Sequence, residues 1–361
     1  MLRSIMLTIG TFIMPPETIR VTQTVAEPVV NVAGWQRGWL IVNYSEKVVW
    51  MKPLVSDDWT VSIQQISVPA PEYFTDLAVQ PEGNRVLTSG HMYNTVWSSS
   101  FEPIHTIDGR IDRTDARRQR ISRDGNQVLL ARRSFDKDSK EIWDLHWVDL
   151  TTKATKTLNL GNDSHGVVGM AWSGDRKLAV LTHHQGRIDF ISVPDLQLIQ
   201  SLNTEYGLST EVNFTHDGRY VGILAASQVV IFDCQTRHEV WKWSANKEPD
   251  ERFFLDTFDF SPDGKRFYVG FVDFPANTTH HITCLSIEDF KPIPNGFPNR
   301  GISHSPLFGR NTIHVSPDGE WIATVGSTPA ATEVSFSRPA AFNVWIHLSD
   351  PEVPPVDDNE E

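Results

Sequence analysis

Cysteine is nearly absent: Cys234 and Cys284 are the two in 361 residues. Two thiols are too few for a disulfide-stapled scaffold and lack the paired spacing of a zinc site, so they read as small buried hydrophobes. No run of about 18 apolar residues occurs, which excludes a helical membrane span. Basic residues are also short, with 32 Lys and Arg against 45 Asp and Glu, a net charge of -13. That balance argues against nucleic-acid binding through overall charge. A Gly-Lys-Ser/Thr phosphate loop, a nucleophile elbow and a zinc-ligand helix are missing as well. The sequence therefore assigns no catalytic residue, no metal ligand and no cofactor.

What is present is material for a core: 40% of the residues are hydrophobic, among them 12 Trp and 19 Phe. Residues 1–14 faintly imitate a signal peptide, but no small-residue cleavage site follows and Pro15-Pro16 interrupts the stretch, so residues 1–16 read as an extension. The clearest stretch is Thr257 to Gly270. Phe258 and Phe260 alternate into Ser261-Pro262-Asp263-Gly264, and a second alternating run leads out from Phe267. Pro presets φ, Asp bonds its own backbone and Gly accepts a positive φ, which together spell strand, tight turn, strand.

This grammar returns. Taking Gly38, Gly83, Gly125, Gly174, Gly218, Gly264 and Gly319 as turn glycines, the step is about 45 residues, the period of a four-stranded propeller blade. Apolar residues stand three and one places before the turn in five units: Leu77/Val79, Met170/Trp172, Val212/Phe214, Phe258/Phe260 and Ile313/Val315; Gln119 and Gly34 break the rule in the other two. The expected fold is all-β, a seven-bladed β-propeller of four-stranded blades over residues 17–348. In the last unit Trp321 to Val325 and Phe342 to Ile346 are the expected second and third strands. The strand Thr18 to Glu27 has no hairpin partner beside it, so it is expected to complete the last blade and close the ring. Residues 349–361 carry six acids and no base and are expected to be a disordered tail.

The Ser-Pro-Asp-Gly turns at Ser261 and Ser316, with third strands ending Val96-Trp97, Val148-Asp149, Phe232-Asp233 and Val344-Trp345, resemble WD-repeat propellers. The one Trp-Asp pair, Trp143-Asp144, is expected before a strand. The Gly-His pair that opens such repeats survives only as traces at His165 and Gly90-His91. SPDGKRFYV from Ser261 equally resembles lactonase-type and other bacterial seven-bladed propellers. The resemblance implies that loops entering each blade share one face with those joining its second and third strands.

Arg110 to Arg133 holds eight arginines against three aspartates in an acidic chain. Arg110, Arg113, Arg117, Arg118, Arg120, Arg132 and Arg133 are the candidate partner-binding residues, because the planar guanidinium binds carboxylate or phosphate bidentately; Arg123 belongs to the same run. The alternative is a solvated patch of internal ion pairs. The pairs His183-His184 and His280-His281 are expected in second-to-third-strand loops as polar loop residues rather than metal ligands. Of the Asn-x-Ser/Thr triplets at Asn43, Asn162, Asn213 and Asn277, the one at Asn213 is expected inside a strand. The Pro- and Gly-rich insertion from Pro292 to Asn311 is expected to decorate the entry to the last blade. Three functions remain open: a cytoplasmic, monomeric interaction scaffold for proteins with acidic surfaces, a lactonase-like hydrolase, and an envelope-associated binding propeller.

Overall fold

The computed structural model describes most of residues 19–338; the longer segments outside the described residues are 56–60, 69–73, 109–118, 245–251, 275–279 and 294–312. Strands are numbered in chain order. The first sheet is β2 (Val29–Trp35), β3 (Gly38–Asn43), β4 (Val48–Val55) and β5 (Val61–Val68). The second is β6 (Phe74–Val79), β7 (Val86–Gly90), β8 (Tyr93–Trp97) and β9 (Pro103–Asp108), and the third β10 (Gln119–Ile121), β11 (Gln127–Phe135), β12 (Glu141–Asp149) and β13 (Thr155–Gly161). The fourth comprises β14 (Val167–Trp172), β15 (Leu178–His183), β16 (Arg187–Ser192) and β17 (Gln197–Asn203). The fifth comprises β18 (Ser209–Phe214), β19 (Tyr220–Ala225), β20 (Gln228–Asp233) and β21 (Glu239–Ser244). The sixth has three strands among the described residues, β22 (Arg252–Phe260), β23 (Arg266–Phe274) and β24 (His280–Ser286), beside which Pro292 bridges Leu285. The seventh runs β1 (Ile19–Val25), β27 (Thr332–Arg338), β26 (Ile322–Ser327), β25 (Ile313–Val315).

Every pairing is antiparallel, and β1 meets β27 with Ile19 opposite Arg338 and Val25 opposite Thr332. The third strand of the last sheet is thus Thr332–Arg338, which corrects the expectation of Phe342–Ile346; those later residues lie outside the described ones. Trp143-Asp144 lies inside β12 and not before it, because the strand starts at Glu141 and Trp143 is buried. First strands of consecutive sheets lie side by side throughout, β25 against β2 included.

The cores sit between sheets. Ala171, Val180, Ile188 and Phe190 of the fourth sheet pack on Val212, Ile223, Val230 and Phe232 of the fifth. The opposite face of the fourth, through Met170, Ala179, Leu181 and Ile191, packs on Leu129, Trp143 and Leu145 of the third. Period-2 alternation sends neighbouring side chains to opposite faces, and here both faces are covered, so central strands such as LAVL and VVIF read as continuous apolar runs. The same relation joins the second to the third sheet, the fifth to the sixth and the sixth to the seventh. In the seam between the fifth and sixth sheets a Cβ at Gly222 would stand 2.6 Å from the Phe258 ring, so only glycine admits that ring.

Candidate binding surface

In the third to sixth sheets the turn joining the first two strands is built by two side chains. In the sixth sheet the Ser261 hydroxyl donates to Asp263 Oδ1 at 2.5 Å, that oxygen accepts the Lys265 amide at 3.0 Å, and the Arg266 amide donates to Ser261 Oγ at 2.9 Å. Ser122/Asp124, Ser173/Asp175 and Thr215/Asp217 repeat this in the third, fourth and fifth sheets. Burial pushes each of these aspartates up, but the turn hydroxyl, backbone amides and nearby cations outweigh it and hold each below its ordinary range. Gly125, Gly218, Gly264 and Gly319 take the positive φ of the fourth turn position. The fourth sheet differs: there Arg176 takes φ 65°, and Gly174, counted as the turn glycine from sequence, holds the second position.

These turns touch one another. Gln80 Nε2 donates to Arg123 O at 2.7 Å, and Arg85 Nη1 to Gly125 O at 2.5 Å. Arg176 pairs with Asp124, and Arg123 Nη1 lies 3.1 Å from His216 Nε2. Sequence reasoning placed Arg123 in a basic run but could not foresee a contact with a residue 93 positions on.

Of the candidate arginines, Arg110, Arg113, Arg117 and Arg118 lie outside the described residues. Arg120 sits half-buried on β10 and donates to Gln119 O at 2.8 Å. Arg132 and Arg133 lie half-buried on β11, opposite Asp144 and Trp143. Burial and then the Arg132 cation hold the His146 imidazole below its ordinary range, with Asp144 opposing them.

The histidine expectation needs correction. His183 is the last residue of β15 and is 1% exposed; its Nε2 lies 2.9 Å from Asp189 Oδ2. Arg187 Nη2 reaches the same oxygen at 2.9 Å, and the Ser201 hydroxyl donates to Asp189 Oδ1 at 2.6 Å. Burial raises the Asp189 carboxyl, yet hydrogen bonds from His183 and Ser201 and the charges of His183 and Arg187 prevail and hold it low. Three strands are clasped through one carboxylate. Ser201 bonds the acid and not the imidazole, so this is a structural clasp and not a nucleophile arrangement. His280 and His281 open β24 instead of lying in a loop.

Polar side chains also stitch neighbouring sheets at their first strands. Gln119, the exception to the apolar rule, is fully buried and donates to Leu87 O at 3.4 Å. Asn213, inside β18 as expected, donates to Phe258 O at 3.2 Å, while Glu211 Oε2 accepts the Phe258 amide at 3.2 Å. Asp259 Oδ2 accepts the Val315 amide at 2.9 Å. A first strand has an unpaired edge whose buried groups must be satisfied, and the next sheet supplies the partner. The Asp259 residue keeps some exposed surface, but its carboxyl is enclosed in the seam: burial, with the Glu211 charge adding to it, pushes it up to about 7 against the pull of the Val315 and Phe260 amides. Burial also pushes both thiols up, Cys234 to about 12 and Cys284 to about 11, as befits inert packing residues.

The β-propeller domain of Cps50 (Swd1) from Myceliophteria thermophila superposes with a TM-score of 0.63, covering 88% of this chain and 98% of that one at 12% identity. The chain is a β-propeller. Six of its described sheets are four-stranded and antiparallel, as propeller blades are. No known family profile matches the sequence, and no curated protein does either. Among the described residues no helix is long and apolar enough to cross a membrane.

Proposed function

We propose that the chain is a non-enzymatic scaffold: seven blades in a ring, closed by β1 in the last blade, presenting its ends to an acidic surface of a protein partner. The observation that carries this reading is the division of labour within each blade. Ser, Asp and the seam residues hold the frame, while the stretch from Arg110 to Arg133 sets eight arginines against three aspartates in an acidic chain. The neighbouring fold, a propeller domain, agrees with such a role. Two first-strand carboxylates, Glu211 and Asp259, accept the backbone amides of Phe258 and Val315, and this favours the scaffold over the hydrolase. On its own the propeller is monomeric and cytoplasmic in this reading.

Affinity capture from the native cell tests it. A stable protein partner is expected, released by rising salt and lost from an Arg117→Ala/Arg118→Ala variant that melts like the parent. Capture of the same partner by that variant at low salt overturns the arginine role. Turnover of an ester or lactone by the purified chain overturns the scaffold.

A further inference from the structure

Blades 2 to 5 close their outer side in one way. Opposite a fixed position of the third strand stands an apolar residue of the fourth: Ile107 faces Asn94, Leu158 faces Leu145, Leu202 faces Ile188 and Trp243 faces Val229. Each of these four apolar side chains is partly buried against the core of its seam. Ile282 holds that position in blade 6, where it pairs with Gly270 as Ile188 pairs with Thr182. It is buried in the seam to blade 7, in one cluster with Ile313 and Ile322. Beyond it no fourth strand lies among the described residues. Lys291 to Ile293 run beside β24 for a single step: the Ser286 amide donates to Lys291 O and the Ile293 amide to Cys284 O, each at 2.9 Å. With Leu285 opposite Pro292, the same register would set Asn295 opposite Ile282. Asn295-Gly296 is a turn-forming pair and not the apolar residue of the other blades.

Cys284 and Ser286 turn their backbone groups to the outer side, so by the alternation of a strand Ile282 is the next residue to do so. An uncovered strand edge is a template for another strand. Blade 7 already takes its fourth strand from far away, since β1 comes from the other end of the chain. β24 reads HHITCLS, with no Asp, Glu, Lys or Arg, so its edge suits an uncharged segment and not the acidic surface that arginines would hold. We infer that the edge of β24 in blade 6 is a docking site for an extended, uncharged strand of the protein partner, which pairs with the Ile282 backbone and sets an apolar side chain opposite that residue. The partner rests on the scaffold reading; the edge goes beyond it, because strand addition works through main-chain hydrogen bonds and needs no arginine.

The test titrates the full chain with a capped peptide of alternating threonine and isoleucine, closed by a lysine at each end for solubility. Its control is the same peptide N-methylated throughout, which keeps side chains and charge but removes the main-chain donors. Saturable binding by fluorescence polarisation is expected, about 10-fold weaker for the methylated peptide. In the complex the Ile282 amide should exchange its hydrogen about 10-fold more slowly, while amides of β17, another outer edge, keep their rate. Equal binding of the two peptides overturns the site, as does equal protection of β17, which would mean indiscriminate edge pairing. Slow exchange at Ile282 before any peptide is added overturns it too: if it survives dilution the chain's own residues fill the edge, and if it is lost on dilution a second copy does. If the peptide fails to bind while partner capture persists and still depends on Arg117 and Arg118, this site falls and the scaffold stands. If the peptide protects Ile282 and no partner is captured, the strand-accepting edge stands and the scaffold falls.

Discussion

Blades 4 and 6 make the same turn from different residues. Ser173 and Asp175 bond each other and the amides of Lys177 and Leu178 at 2.7–3.1 Å, as Ser261 and Asp263 do with Lys265 and Arg266 at 2.5–3.0 Å. Yet blade 6 has Pro262 and Gly264 where blade 4 has Gly174 and Arg176. The Ser and Asp carry the turn, leaving the second and fourth positions open to other uses. Arg176 accepts a left-handed backbone at a cost of about 1 kcal/mol and in return reaches Asp124 of the neighbouring blade. Blade 6 keeps a regular turn and concentrates its chemistry in the seams, at Asp259 and the Phe258 ring.

The comparison can be broken from the frame downwards. Deleting residues 17–28 removes the partner of β27 and should abolish the cooperative melting transition followed by circular dichroism; an unchanged Tm would sink the closure. Next in size, Phe258→Ala empties a fully buried ring site between blades 5 and 6 and should cost about 3–5 kcal/mol in urea unfolding. A loss near 1 kcal/mol would mean that the seam collapses to fill the space.

Asp259 gives a pH-dependent effect. Its folded pKa, about 7, stands above the ordinary value of 3.8, so the folded chain holds the proton more tightly and stability falls as pH rises between them. From pH 5.5 to 8 this group should remove about 2 kcal/mol, a fall missing from Asp259→Asn when the two unfolding curves are compared. Parallel pH profiles would show that the carboxyl is ionised throughout.

Ser173→Ala and Ser261→Ala should each cost about 1–2 kcal/mol and, if the turns are equivalent, by the same amount within error. Unequal losses would contradict the equivalence. Smallest of all, Arg176→Gly trades backbone relief against an exposed ion pair and should move stability by a few tenths of a kcal/mol, whereas Gly264→Ala, forced to positive φ, should lose about 1 kcal/mol. A large loss in Arg176→Gly would give the Asp124 pair a structural weight that exposed pairs lack.

The frame was legible because its grammar is local. Ser, Asp and Gly at fixed spacing after two alternating apolar residues define a hairpin within fifteen residues, and four of the five apolar pairs proved to line the described seams. The outer strands β5, β9, β13, β17 and β21 carried little signal: β13 and β17 are mostly exposed, with Leu158, Leu160 and Leu202 turned partly inward. The last third strand was misplaced because TEVSFSR is half polar while the later stretch is apolar. Stitches such as Asn213 to Phe258 O, and the Arg123–His216 contact, were invisible for another reason. Their partners lie one or two blades away, and nothing in the neighbouring sequence marks them. His183 looked like a loop residue because its acid, Asp189, belongs to the next strand.

Ile19 pairs with Arg338. More than three hundred residues must therefore leave the ribosome before the first described strand finds its place, and at roughly 5–20 residues per second that wait is on the order of tens of seconds. During it β1 waits for its described partner strand. Among the described pairings this ladder spans the widest separation in sequence, joining the first described strand to the last.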